Sequence, residues 1–429
     1  MSRLSRLNPW RGLAGLPREV WVLCAATVVN RAGTMVLPFF VLYLTHERGF
    51  SAKQASLYVL LYGAGALVTA PFAGRLSDRL GPIRIMRGSL FVSGAILLSF
   101  PFARGGPALA AMTVALAVSA ESFRPANLTI LGDLVAPELR KAGFALNRLA
   151  VNLGMSIGPA LGGFLATLSF RWLFWVDGVT SLAAGVILLA TAFPPHRRHA
   201  PATPVRHTPA TPIEEAVADL AHGGPAHRDR TLLLFLAAFF PVMFVFFQES
   251  SSLPLYLVQD LRLSAAAYGL LFTVNTVMIV FLEVPFNLAT RHWTHRRTIS
   301  LGALLCAIGF GSFAFTWNLG SVIMAVVIWT VGEMLIFPGM ADYLTAIAPE
   351  RRRGEYMGLA QMMMGLAFTL GPWGGLQLLA RFGGRVLWLV MLTIGVAAAA
   401  LLARFVRPRT SSHESAGAEE VVLAVPEID

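Results

Sequence analysis

A small set of carboxylates and arginines stands where the 429-residue chain is otherwise apolar: Glu121, Asp177, Glu249, Glu283, Glu333 and Asp342, with Arg31, Arg124 and Arg148. A carboxyl group among apolar neighbours meets a low dielectric that favours its neutral form, whereas a nearby arginine favours ionisation. That competition is the chemistry of a proton switch. Glu333 follows Gly332, precedes Pro338 and has no basic residue on its own helix; Glu249 stands beside Gln248. Glu121 lies three residues before Arg124, a spacing that puts both on one helical face. These three glutamates are the expected proton-coupling groups, although Glu121 and Arg124 also read as a self-neutralising pair and Glu333 as a structural group. Asp177, toward the end of its span, and Asp342, at the opposite end of another, are expected to be structural or loop partners.

Composition says what must position these groups. With 56% hydrophobic and 13% charged residues, the sequence is too apolar for an ordinary soluble domain. Segments of about 20 apolar residues suffice to cross a bilayer core, and about twelve are read here. They lie near 19–45, 54–74, 84–103, 107–131, 142–168, 171–193, 231–258, 266–290, 297–317, 320–345, 355–380 and 385–405. None of the nine histidines falls within these bounds, so a membrane-embedded proton carrier is expected to be a carboxylate.

Alternating topology collects most of the 34 Lys and Arg residues on one side, while the other receives Arg48, Lys53, Arg104, Arg171, Arg262, Arg381 and Arg385. Basic loops face the cytoplasm, which predicts both termini there, in a multi-pass inner-membrane protein. The formal charge of +11 then reflects orientation rather than affinity for nucleic acid. Residues 1–19 lack an apolar core before a small-residue cleavage site, so the first span is expected to serve as the targeting signal. Cys24 and Cys306 are far apart and support neither a disulfide nor a zinc site. No Gly-rich loop ends in Lys-Ser or Lys-Thr, and no nucleophile and base set appears. An ion-driven process with no cofactor or metal is expected, not an enzyme.

The chain repeats itself. Pro125, Ala136-Pro137-Glu138 and Gly158-Pro159 recur in order as Pro338, Ala348-Pro349-Glu350 and Gly371-Pro372. "LPFFVLYL" before Thr45 is echoed by "LPLYLV" before Gln259. Two pseudo-symmetric six-helix bundles are predicted, 1–193 and 231–409. Residues 194–230, rich in Pro, Ala and His, read as a cytoplasmic linker with a short surface helix after Thr211, and 410–429 as a disordered acidic tail.

The segment Gly74-Arg75-Leu76-Ser77-Asp78-Arg79-Leu80-Gly81-Pro82-Ile83-Arg84 resembles the signature loop of the major facilitator superfamily. Gly74, Asp78, Arg79 and Arg84 are accordingly expected to form a latch, with Gly74 admitting a close helix, and Arg148 and Glu283 are expected to form a gate pair. Gly154, Gly158 and Gly162, with Pro159, line one face of the fifth span for close packing and resemble the "GP..GG" element of drug:proton antiporters. Met112 stands where those antiporters often carry an arginine. Arg124-Pro125, and Gly332-Glu333 ahead of Pro338, are similar to elements of proton-dependent oligopeptide transporters, whose first-span glutamates are here Thr27 and Asn30 before Arg31.

The resemblance implies the major facilitator fold and proton-coupled export of small amphipathic or drug-like compounds by alternating access. Proton-coupled uptake of peptides or similar solutes is the alternative, and a non-transporting receptor or lipid scramblase a third reading. Arg31, Arg124, Asn30, Gln248 and Tyr256 are the expected substrate-cavity residues. The expected partners are a small-molecule substrate, protons and the lipid bilayer, with the protein a monomer.

Overall fold

The computed structural model describes residues 15–136, 139–194, 225–349 and 352–406, apart from the side chains of Ala70, Asp78 and Lys141. The predicted linker helix, the acidic tail, Pro137 and Glu138 of the first Ala-Pro-Glu element and Glu350 of the second lie outside the described residues. What is described is all-α. The helices are α1 Arg18–Gly33, α2 Val36–Leu42, α3 Ala52–Leu80, α4 Pro82–Ser99, α5 Gly106–Glu121, α6 Phe123–Leu134, α7 Arg140–Leu168 and α8 Phe170–Leu189. After the linker come α9 Arg230–Phe246, α10 Ser252–Gln259, α11 Ala265–Thr290, α12 His295–Ser312, α13 Leu319–Ile347 and α14 Arg353–Phe405.

Among the described residues, ten helical stretches are long and apolar enough to cross a bilayer, eleven when the bent pair Ala52–Thr69 and Pro71–Ser77 is taken as one. Unbroken, the 53 residues of α14 would extend about 80 Å, over twice the thickness of a hydrocarbon core. Gly383, at φ 78° and ψ 170°, interrupts it. Only a residue without Cβ adopts that conformation freely.

Three breaks that hydropathy does not mark have a common cause. A proline ring clashes with the carbonyl four residues earlier and removes its own N–H from the helical ladder. Pro38 acts in this way on Thr34, where α1 gives way to α2. Pro254 acts on Ser250, between α9 and α10, and Pro125 on Glu121, between α5 and α6. Each break lies at or beside the carbonyl that the ring excludes.

Helix α1 packs on α7 and α8, α4 on α8 and α3 on α5; later in the chain α12 packs on α13 and α14, and α9 on α14. Contacts between the earlier and later helices are made by α3 with α14, α7 with α11 and α2 with α10. At the end poor in arginine these contacts are close. Gln377 Nε2 donates to Ser56 Oγ at 2.8 Å, and a Cβ on Gly163 would stand 2.8 Å from Ala265 O and 3.1 Å from Gly269 Cα. Gly63 likewise lies against Thr369 and Gly365 against Leu67. Toward the arginine-rich end, Cβ atoms added to Gly74, Gly354 or Gly358 would meet no described atom of another helix within 4 Å. Helix approach at Gly74 was expected and is not found.

Candidate functional site

The α1–α2 break forms one wall of a cavity of about 100 Å³. Asn30, Arg31 and Thr34 line it from α1 and the break, Tyr62 from α3, Ser89 and Ser93 from α4, Glu121 from α5, and Asp177 and Ser181 from α8. Leu37, Phe40, Leu97 and Leu116 are among its apolar lining residues.

Among the described residues Arg31 has no carboxylate within ion-pair distance. Its guanidinium carbon lies 5.7 Å from the Phe123 ring centroid, and its buried Nε has no hydrogen-bond partner. Tyr62 donates to Glu121 Oε1 at 3.2 Å, and Asn30 Nδ2 donates to Ser181 Oγ at 3.2 Å. Asp177 is 7% exposed, and its Oδ2 accepts from the backbone N–H groups of both Met35 and Val36 at 3.3 Å. Those two donors have lost their intrahelical acceptors at the break. Asp177, expected to be a loop or structural partner, therefore both lines the cavity and ties α8 to the hinge of the first span.

Three expected cavity residues are elsewhere. Arg124, just past the α5–α6 boundary at Ser122, is exposed, and among the described residues it makes no ion pair with Glu121. Gln248 is fully buried and spent on the second hinge: Nε2 donates to Phe244 O at 2.9 Å and Gly371 O at 2.8 Å, while Oε1 accepts from Ser252 Oγ at 2.8 Å. Tyr256 donates to Phe313 O at 2.8 Å and packs on Trp388.

Glu333 and Glu249 belong to a second polar cluster. Asn275 Nδ2 donates to Glu333 Oε2 at 2.8 Å and lies 3.0 Å from Thr330 Oγ1. Glu249, Asn275, Tyr268 and Trp329 line a smaller cavity of about 10 Å³, room for about one water. Tyr268 Oη is held by Glu249 O at 2.9 Å. Asn275 was missed, although a lone amide in "TVNTVMIV" carries the signal of any polar group in an apolar run.

The glycines of α7 lie along the first hinge. A Cβ on Gly154 would stand 2.4 Å from Arg31 Cβ, one on Gly158 2.9 Å from the carbonyl oxygens of Arg31 and Thr34, and one on Gly162 2.7 Å from Met35 Cβ. Pro159 O faces Gly269 of α11. In the second repeat Gly371 meets Phe244 O and Gly375 meets Gln248, beside the α9–α10 break.

At the arginine-rich end Arg148 Nη2 meets Glu283 Oε1 at 2.5 Å, joining α7 to α11. Arg79 and Arg84 are exposed, and the Asp78 side chain is outside the described residues. Arg87 donates to Leu188 O and Thr191 O, serving the C-terminal carbonyls of α8. Asp342 contacts buried His295 at 2.8 Å. That histidine opens α12, inside a membrane-length helix where none was expected.

The profile described as Major Facilitator Superfamily matches residues 23–266 and 250–427. The chain is 25% identical to "Uncharacterized MFS-type transporter YqjV" of Bacillus subtilis, over 88% of this chain and 90% of that one. It is 24% identical to "Multidrug resistance protein MdtH" of Aeromonas salmonicida, over 86% and 90% respectively. A solved POT family transporter in complex with a thioalcohol-conjugated peptide superposes with TM-score 0.72 at 17% identity, covering 92% of this chain and 98% of that one. The chain belongs to the major facilitator superfamily, as a multi-pass membrane carrier of small solutes and not an enzyme.

Proposed function

We propose that the protein is a proton-coupled carrier that takes up small polar or charged solutes, peptides or similar. The observation that carries this reading is the cavity wall: Arg31 without a contacting counter-charge, set among Glu121, Asp177, Asn30 and serines. Such a lining rewards a solute that brings charges and hydrogen-bonding groups, because buried polar groups left unpaired by an apolar ligand are costly. The sequence alone had favoured export of amphipathic compounds.

Twelve spans in two six-helix halves, 1–193 and 231–409, complete the reading, with the linker and both termini in the cytoplasm of an inner-membrane protein. Gly383 supplies the division of α14 into two spans. Glu333, Glu249 and Glu121 are the proton-coupling candidates, and Asp78, Arg79, Arg84, Arg148 and Glu283 the gate.

Drug export is the second reading. Tyr62 and Phe247 both pack edge-on against Phe368, at 6.3 and 5.2 Å, offering an aromatic contact between α3, the α9–α10 turn and α14 for an apolar body. The relative from Aeromonas salmonicida carries a multidrug-resistance name. Proteoliposomes under an imposed pH gradient separate the readings. Accumulation of a zwitterionic dipeptide with the proton flow supports uptake, and extrusion of an amphipathic cation against it supports export. Gradient-independent behaviour with both solutes points to the receptor or scramblase reading.

A further inference from the structure

We infer that Asp177 is a coupling residue whose ionised carboxylate holds the first-span hinge in its present shape, so that neutralising it loosens the seal at the arginine-poor end. The inference rests on the proton-coupled reading for its biological use, but its geometry stands apart from it.

Three observations carry it. The carboxylate bridges from α8 to the two N–H groups freed at the α1–α2 break, and bonds to an ionised acceptor are about twice as strong as neutral ones. Asp177 also lines the cavity, so solutes and protons entering there reach its neighbourhood. Beyond the hinge, α2 contacts α10, and Phe39 packs edge-on against Tyr268 at 5.1 Å. The segment that Asp177 anchors is therefore part of the seal.

The second repeat provides an internal contrast. There Gln248 holds the break between α9 and α10 with a neutral amide. One hinge is clamped by a group that titrates and the other by a group that does not. Protonation can thus act on one half alone.

The charged and titratable groups around Asp177 are named by element. Arg31 faces it from α1, Tyr62 from α3 and Glu121 from α5. Tyr43 beyond α2 packs on Phe174, with Glu47 near Arg171 at that end of α8. Arg84 and Arg87 of α4 and Arg140 and Arg148 of α7 lie toward the arginine-rich end.

The test joins Ser56→Cys and Gln377→Cys across the seal in full-length protein in liposomes, with copper–phenanthroline as the oxidant, and measures disulfide yield between about pH 5.5 and pH 8 as a ratio to the yield of the same pair in detergent-unfolded protein at the same pH, which removes the fall in thiolate fraction. The expected result is a yield that falls as the pH is lowered. Asp177→Asn, which keeps a hydrogen-bond acceptor and loses the charge, should give the low yield at every pH with Tm retained. Asp177→Glu should keep the pH response with a shifted midpoint, and serves if the asparagine variant does not fold. A wild-type yield and pH response in Asp177→Asn would overturn the inference, because an amide suffices for a purely structural cap. Solute flux in the same liposomes separates the two proposals: a lost crosslinking response without gradient-driven flux in the parent protein retains the hinge and removes proton coupling, whereas intact coupling with an unchanged crosslink does the reverse.

Discussion

The Glu333 carboxylate accepts a 2.8 Å hydrogen bond from Asn275, so an α13 acid and an α11 amide are fastened across a helix interface. Glutamine at position 333 preserves the size and polarity of the group but cannot release a proton. Glu333→Gln is expected to abolish uphill transport driven by a pH gradient while downhill exchange persists. Both are read in the same liposomes; retained uphill transport would transfer the proton to Glu249 or Glu121.

Arg31 is expected to meet an anionic group of the solute. A hydrogen bond to a charged partner contributes about 1.5–3 kcal/mol, so Arg31→Gln should weaken binding roughly 10- to 100-fold. Isothermal titration with a dipeptide and with its C-terminal amide checks this. An equal loss for both ligands would mean that the guanidinium shapes the cavity without touching the carboxylate.

The Arg148–Glu283 pair joins a side chain that is 64% exposed to one that is 14% exposed. Solvent screening keeps its worth near 0.2–1 kcal/mol. A double-mutant cycle on Tm should return a coupling in that range, while the charge-swapped Arg148→Glu with Glu283→Arg restores transport lost in either single variant. Failure of the swap would deny the pair a gating role.

Gly158 and Gly74 should respond oppositely to alanine. At Gly158 the new methyl would stand 2.9 Å from two backbone carbonyl oxygens, and such overpacking costs about 1–3 kcal/mol. At Gly74 no described atom lies within 4 Å, and alanine in a helix interior is favoured by about 0.5–1 kcal/mol. Thermal unfolding in detergent should show Tm falling for Gly158→Ala and holding or rising for Gly74→Ala.

Asp260, in the turn after α10, has its pKa raised by partial burial, with the N–H of Gly384 acting in the opposite direction. A raised carboxyl pKa means that the folded state favours the protonated form, so the ionised side chain lowers stability at neutral pH. Asp260→Asn should therefore raise Tm near pH 7. The difference should shrink as the pH falls through the raised pKa toward the ordinary aspartate range.

Much of the architecture was legible because membrane burial writes long apolar runs, and because duplication writes the same glycines twice. Gly158 and Gly371 both sit against the hinge of an earlier helix. The hinges themselves were signalled by Pro38 and Pro254 but are hidden from a hydropathy window, which reads 19–45 as one span. Asp177 was assigned by its distance along the chain from a span end, whereas the break in α1 created two donors for it in the interior. Arg124 illustrates the converse: its three-residue spacing from Glu121 suits a helix face, yet its side chain is exposed and Glu121 accepts from Tyr62 instead. Gln248 looked like a ligand group because nothing in its neighbours reveals that its amide is consumed by Phe244, Gly371 and Ser252.

The contact between Gly163 and Gly269 is made of backbone, with no side chain on either glycine. An ordinary protein interface loses about 0.5–1.5 kcal/mol for each long side chain that it immobilises, and regains that freedom on opening. Here closing freezes no rotamers on either glycine. At this point of the seal, contact can form and part in every cycle without ordering a side chain, unlike the Gln377–Ser56 and Phe39–Tyr268 contacts beside it.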